Sequence, residues 1–160
     1  MNVLVLYFSK GGNTRRLAAA IADGARSVDG TTVVLKNTDE VSKEDFLAAD
    51  GLIAGSPVYF GSPAAPLKAV FDEFVGIRRK MQNKVGAAFA TAGDPTGGKE
   101  TTMLAILQAF LIYGMVIVGD PLSATGHYGT ACVGAPDVKA IDNGAKLGRR
   151  VAEMARKIFE

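Results

Sequence analysis

Val3-Leu4-Val5-Leu6-Tyr7-Phe8-Ser9-Lys10-Gly11-Gly12-Asn13-Thr14-Arg15-Arg16-Leu17 changes pattern twice. Val3 to Phe8 is a short apolar run of β-branched and aromatic residues, the signature of a buried strand. Ser9 to Thr14 is small, polar and glycine-rich. From Leu17 onward the spacing becomes helical, with Leu17, Ile21 and Val28 on one face and alanines between them. A strand, a glycine loop and a helix, in that order, make an anion site. The helix N-terminus leaves backbone N–H groups without partners and carries a partial positive charge, and a phosphate satisfies both. Gly11 and Gly12 let the backbone come close, Lys10 lies between them and the strand, and Ser9, Asn13 and Thr14 offer side-chain donors. The same letters also suit an ordinary capped βα turn, since Asn and Thr are common caps.

The chain has 160 residues, a length expected of a single domain over 1–160, and its 48% hydrophobic content suffices for a core. A net charge of +2 with scattered Lys and Arg gives no basic face for nucleic acid. The one cluster, Arg78-Arg79-Lys80, reads as a solvated helix end. Cys132 is the only cysteine, so an intrachain disulfide framework is excluded, as suits a reducing compartment. No basic leader precedes the first strand, and Leu104–Val118, interrupted by Gln108 and Gly114, is too short to span a membrane. The expectation is a cytoplasmic protein.

Further along, Thr32–Lys36, Gly51–Gly55, Lys84–Thr91 and Met115–Val118 read as strands, and Ser42 as the cap of a short helix over Glu44–Ala49. Pro66 opens a helix with Leu67, Val70, Phe71 and Phe74 facing in; Thr101 starts another, and Asp137–Phe159 is the last. Ser56–Pro63 reads as loop because of its prolines and glycine, and Gly119–Pro136 as a long irregular segment. Continuous apolar strands alternating with helices imply a parallel sheet between two helix layers. Five strands suit the order 2-1-3-4-5, which puts ligands outside the strand C-terminal ends, between the first and third strands. The loops there are Ser9–Thr14, Ser56–Pro63 and Thr91–Lys99.

Each loop has its own chemistry. The first suits a phosphate. The second presents Tyr59 and Phe60 beside Ser56, Pro57, Val58 and Gly61, and an exposed aromatic pair suits a flat ring. The third, Thr91-Ala92-Gly93-Asp94, supplies N–H groups and a hydroxyl for a ring's polar edge. A phosphate and a flat heteroaromatic together point to a nucleotide-like cofactor. Gly93–Lys99 mimics the start of a Walker A motif, but Glu100 stands where a Mg²⁺-binding Ser or Thr is needed. Cys132 reads as a buried structural thiol. His127, on the long loop, is either a solvent-exposed loop residue or a group facing the site. One His and one Cys form no closed metal-ligand set, so no metal is expected.

Ser9-Lys10-Gly11-Gly12-Asn13-Thr14 resembles the phosphate loop of flavodoxins. Gly55-Ser56-Pro57-Val58-Tyr59-Phe60-Gly61, Phe71-Asp72, Thr91-Ala92-Gly93 with Gly97-Gly98-Lys99-Glu100, Gly114-Met115-Val116-Ile117-Val118 and Tyr128-Gly129 are similar, in order, to blocks of the FMN-dependent NAD(P)H:quinone oxidoreductases once called tryptophan-repressor-binding proteins. The resemblance implies a flavodoxin-like three-layer α/β sandwich. It implies FMN across the strand ends, with its phosphate on Ser9–Thr14 and its ring on Pro57–Gly61 and Thr91–Asp94. It implies NAD(P)H as co-substrate, and a small-molecule quinone or a redox protein as acceptor. Tyr59 stands where the family has Arg. Tyr113 stands where it has an active-site His, which makes Tyr113, with His127, the candidate on the substrate side of the flavin. Asn37–Asp50 is shorter than the family's tetramer-forming segment, so a homodimer or monomer is expected rather than a tetramer. A flavodoxin-type carrier is the alternative; such carriers are usually strongly acidic, and this chain is not. A receiver-like module would need an acidic cluster after the first strand, where Ser9-Lys10-Gly11 stands.

Overall fold

The computed structural model describes residues 1–159. Strands β1 (Asn2–Tyr7), β2 (Thr32–Asn37), β3 (Gly51–Tyr59) and β5 (Val85–Ala92) are parallel in the spatial order β2-β1-β3-β5, and a last position beside β5 completes the expected order. Helices α1 (Asn13–Arg26) and α5 (Val138–Phe159) cover one face. The other carries α2 (Lys43–Ala48), α3 (Ala65–Glu73), a 3₁₀ helix (Phe74–Met81) and α4 (Lys99–Ile112).

Burial on both faces explains the unbroken apolar runs. In β1, Leu4 and Leu6 point to the α3/α4 side, while Val3, Val5 and Tyr7 point to the α1/α5 side. Helices α1 and α5 pack closely enough that a Cβ on Gly24 would strike the Ala145 carbonyl, and one on Gly148 the Ile21 carbonyl. Ser42 caps α2 in a capping box with Asp45, and the Asp137 carboxylate accepts the Ala140 N–H at the start of α5.

Two segments differ from the sequence reading. The final strand is split. β6 is only Val116–Ile117 and pairs with Val85–Gly86; the chain leaves the sheet, then returns as β7 (Gly129–Val133), parallel to Ala88–Ala92. The detour is tied by the buried Asp120 carboxylate, which accepts the N–H groups of Thr125, Gly126 and His127 and the Thr125 hydroxyl. Pro121 prevents the strand from simply continuing. The supposed irregular segment Gly119–Pro136 therefore holds half of the last strand.

The second difference is at Ser56–Pro63. β3 runs on to Tyr59 and folds back as a hairpin onto β4 (Ser62–Pro63). Pro57 is tolerated because β1 has ended by then, and only β5 still flanks that stretch of β3. Phe60 and Gly61 both have positive φ, 50° and 74°, as a two-residue type I′ turn requires.

Candidate functional site

The C-terminal ends of β1, β3, β5 and β7 surround an open cleft of about 200 Å³. Ser9, Lys10, Gly11, Asn13 and Thr14 line it from the first loop, Pro57, Val58 and Tyr59 from the second, and Thr91, Ala92 and Gly93 from the third. Three segments far apart in sequence thus converge at the switch point of the sheet.

The first loop is organised by one hydroxyl. Ser9 Oγ accepts the N–H of Gly12 at 3.1 Å and of Arg15 at 3.3 Å. Gly12 caps α1 with φ 91°, a backbone that a side chain rarely adopts. Among the described residues, no acceptor takes the N–H of Asn13 or Thr14, as expected for the first turn of a helix without a continuing partner. A Cβ added at Gly11 or Gly12 would meet nothing within 4 Å, so the space over the loop is open. Deeper in, the hydroxyls of Thr14 and Thr91, both buried, lie 2.8 Å apart. Such a pair carries two protons and uses one between its members, leaving one to donate.

Other expected site residues are placed elsewhere. Ser56 is fully buried; its hydroxyl donates to the Pro57 carbonyl and accepts the Ala64 N–H, shaping the loop instead of facing the cleft. Phe60 and Gly61 form the hairpin tip outside the cleft, with Phe60 wholly exposed. The Thr101 hydroxyl holds that tip by donating to the Gly61 carbonyl at 2.7 Å. Asp94 turns onto its own loop: the Thr96 hydroxyl and N–H donate to its carboxylate and hold it below the usual carboxylate range.

Tyr113 needs a correction. It follows α4 and precedes β6, which pairs with the first residues of β5, so it sits at the N-terminal end of the strands, opposite the cleft. Its ring packs among Phe46 and Phe71, and its hydroxyl donates to the Phe71 carbonyl at 2.7 Å. Burial, with the Asp72 carboxylate nearby, pushes its pKa up to about 12. It is a core residue in this chain. His127 also stays outside the cleft; it is exposed and lines a different pocket along β7. Burial raises the Cys132 thiol above its ordinary range, so the thiolate is disfavoured.

Gly134 also lines the cleft and was not anticipated. Its φ of 68° turns the chain out of β7, and its N–H donates to the Ala92 carbonyl at 2.8 Å. Recognising β7 in the sequence was the one way to find it.

A family model described as NADPH-dependent FMN reductase matches residues 1–130. The chain belongs to the NADPH-dependent FMN reductase family. It is a flavodoxin-fold oxidoreductase with FMN and NAD(P)H as its cofactors. A protein of Aquifex aeolicus named flavodoxin is 38% identical over 157 residues, covering 94% of this chain and 85% of the relative. A protein of Archaeoglobus fulgidus named NAD(P)H dehydrogenase (quinone) is 33% identical over 188 residues, covering 98% of both. The crystal structure of a WrbA-like flavodoxin from Agrobacterium tumefaciens superposes with a TM-score of 0.85 at 27% identity, covering 98% of each chain.

The donor set of this FMN reductase-family cleft fits FMN. Unpaired N–H groups at a helix N-terminus, a spare hydroxyl proton and open space over two glycines suit a phosphate. No carboxylate lines the cleft to oppose it. Among the described residues no cluster of His, Cys, Asp and Glu could hold a metal, and no helix is long and apolar enough to cross a membrane.

Proposed function

We propose that this protein passes two electrons from NAD(P)H through FMN to a quinone-type acceptor. The observation that carries the reading is the convergence, on one cleft, of α1's unpaired N–H groups, the Thr14–Thr91 hydroxyl pair and the partly exposed Tyr59 ring. Lys10–Thr14 would hold the phosphate, and Pro57–Tyr59 with Thr91–Gly93 would border the ring. FMN bound there supplies the hydride and electron chemistry, while the chain supplies position and polarity. The proton-bearing side chains that line the cleft beside its hydroxyls are Lys10 and Tyr59, with no His or carboxylate among them. Tyr59 and the wholly exposed Phe60 give a flat acceptor aromatic surface at the rim. The full-length match to a relative named for quinone supports the acceptor class.

The second reading is an electron carrier between proteins, supported by the relative named flavodoxin. The net charge of +2 stands against it, because carriers of that kind use acidic surfaces for docking. An anaerobic visible spectrum of the FMN-loaded protein, taken before and after NADH and then NADPH, separates the two. Prompt bleaching followed by reoxidation with a soluble quinone is the expected result. Flavin that binds but stays oxidised with both reductants would overturn the enzyme reading in favour of the carrier.

A further inference from the structure

A second pocket, of 280 Å³, lies apart from the cleft along the outer edge of β7. Its walls include Lys99, Glu100 and Met103 of α4, Tyr128 of the returning loop and Asn143 of α5, with the Asp120 carboxylate also on the lining but occupied by the Thr125, Gly126 and His127 donors. Asn143 is only 9% exposed, yet its side-chain amide makes no hydrogen bond to any described residue. Its main-chain carbonyl also accepts the Thr130 hydroxyl at 3.2 Å. The amide is open to the pocket, so its donor and its acceptor are both available to a ligand placed there.

We propose that this pocket takes the adenosine half of NAD(P)H. The inference rests on NAD(P)H being the reductant. A primary amide offers a donor and an acceptor side by side, and so does an adenine edge, which Asn pairs with bidentately. Tyr128 is half exposed and gives a base a ring to stack on, and Met103 adds an apolar wall. Glu100 can accept the ribose hydroxyls, the role an acidic residue fills for adenosine ribose in other folds. Lys99, whose exposed ammonium donates to the Pro95 carbonyl at 3.0 Å, can exchange that contact for the phosphates at the same mouth. The loop joining pocket to cleft is short: Thr91–Gly93 borders the cleft, and Lys99 ends that loop at the pocket. The volume approaches the lower bound of ligand pockets, about 300 Å³, which suits half a dinucleotide.

The test is calorimetric titration of the FMN-loaded protein with ADP-ribose and with its 2′-phosphate, for wild type, Asn143→Leu and Tyr128→Ala. At least one of the two ligands binds wild type, and each substitution weakens it about tenfold or more, the scale of one lost bidentate or stacking contact to a base. An unchanged flavin spectrum shows that the variants are folded. The KM for NAD(P)H rises by a similar factor, whereas reduced nicotinamide mononucleotide, which lacks the adenosine half, does not distinguish variant from wild type. Failure of both ligands to bind, or equal binding to Asn143→Leu, overturns the assignment even if NAD(P)H bleaches the flavin. Binding that depends on Asn143 in a protein that NAD(P)H does not reduce would instead overturn the reductant and keep the adenosine site.

Discussion

The two ends of the sheet are built from similar residue types and use them in opposite ways. At the N-terminal end, most polar groups are spent inside the chain, the buried Thr31 hydroxyl excepted. Lys84 Nζ donates to the carbonyls of Phe46, Leu47 and Ala49 and so closes the end of α2; Asn2 bonds Asp50 and Ala48; the Tyr113 hydroxyl bonds Phe71. At the C-terminal end, Asn13 and Thr14 keep free N–H groups and a buried hydroxyl pair keeps a spare proton. Size does not mark the site: a hollow of 720 Å³ opens near Tyr113, between the 3₁₀ helix and the end of α4, yet no such unspent buried donors gather there. What marks it is that two free N–H groups and a hydroxyl pair open onto one cleft.

Substitutions at each end should separate stability from binding. The largest loss of stability is expected at Lys84→Met, which strips three carbonyls of their donor. Loss of about 2–3 kcal/mol in denaturant unfolding is expected for a partly buried charged donor, with FMN affinity unchanged. Weaker flavin binding in that variant would show that the two ends are coupled.

Asn13→Asp probes the other end with opposite signs. A carboxylate at the start of α1 complements the helix dipole and raises apo stability by about 0.5 kcal/mol. The same charge repels a phosphate, so the FMN dissociation constant rises about 100-fold, the equivalent of two decades or nearly 3 kcal/mol. An unchanged constant would mean that the phosphate lies elsewhere.

Tyr113→Phe removes one buried hydrogen bond, with an expected cost of about 1 kcal/mol and no change in the rate of flavin reduction. A fall in that rate would return Tyr113 to the active site. Its titration carries a smaller signature. The folded-state pKa is raised from 10 to about 12, so the neutral phenol is favoured in the native protein. Its contribution to stability is complete below pH 10 and declines as pH rises toward 12. Unfolding measured across that window should show the decline in wild type and not in Tyr113→Phe.

Much of this was legible in the sequence because it rests on local rules. The apolar run Val3–Phe8 demanded burial on both faces, and Ser9–Thr14 read as a glycine loop opening a helix, suited to an anion or to an ordinary capped turn, whatever the rest of the chain did. What escaped was non-local. Gly129-Thr130-Ala131-Cys132-Val133 is too small and mixed to announce a strand; it becomes one because β5 offers an unpaired upper edge. Gly134 was lost with it. Tyr113 was placed at the site by its position next to Gly114-Met115-Val116-Ile117-Val118. A residue just before a parallel strand lies at the end away from the ligand, and that geometry overrules the neighbourhood in sequence.

The break between β6 and β7 also bears on solubility. Sheets with strands this apolar are aggregation hazards if they offer a long, flat border to a neighbouring chain. Here that border consists of two residues, a detour tied by the Asp120 carboxylate and five more. Neither piece is long enough to template a stranger's backbone in register. The detour that walls one pocket therefore also interrupts this edge of the sheet.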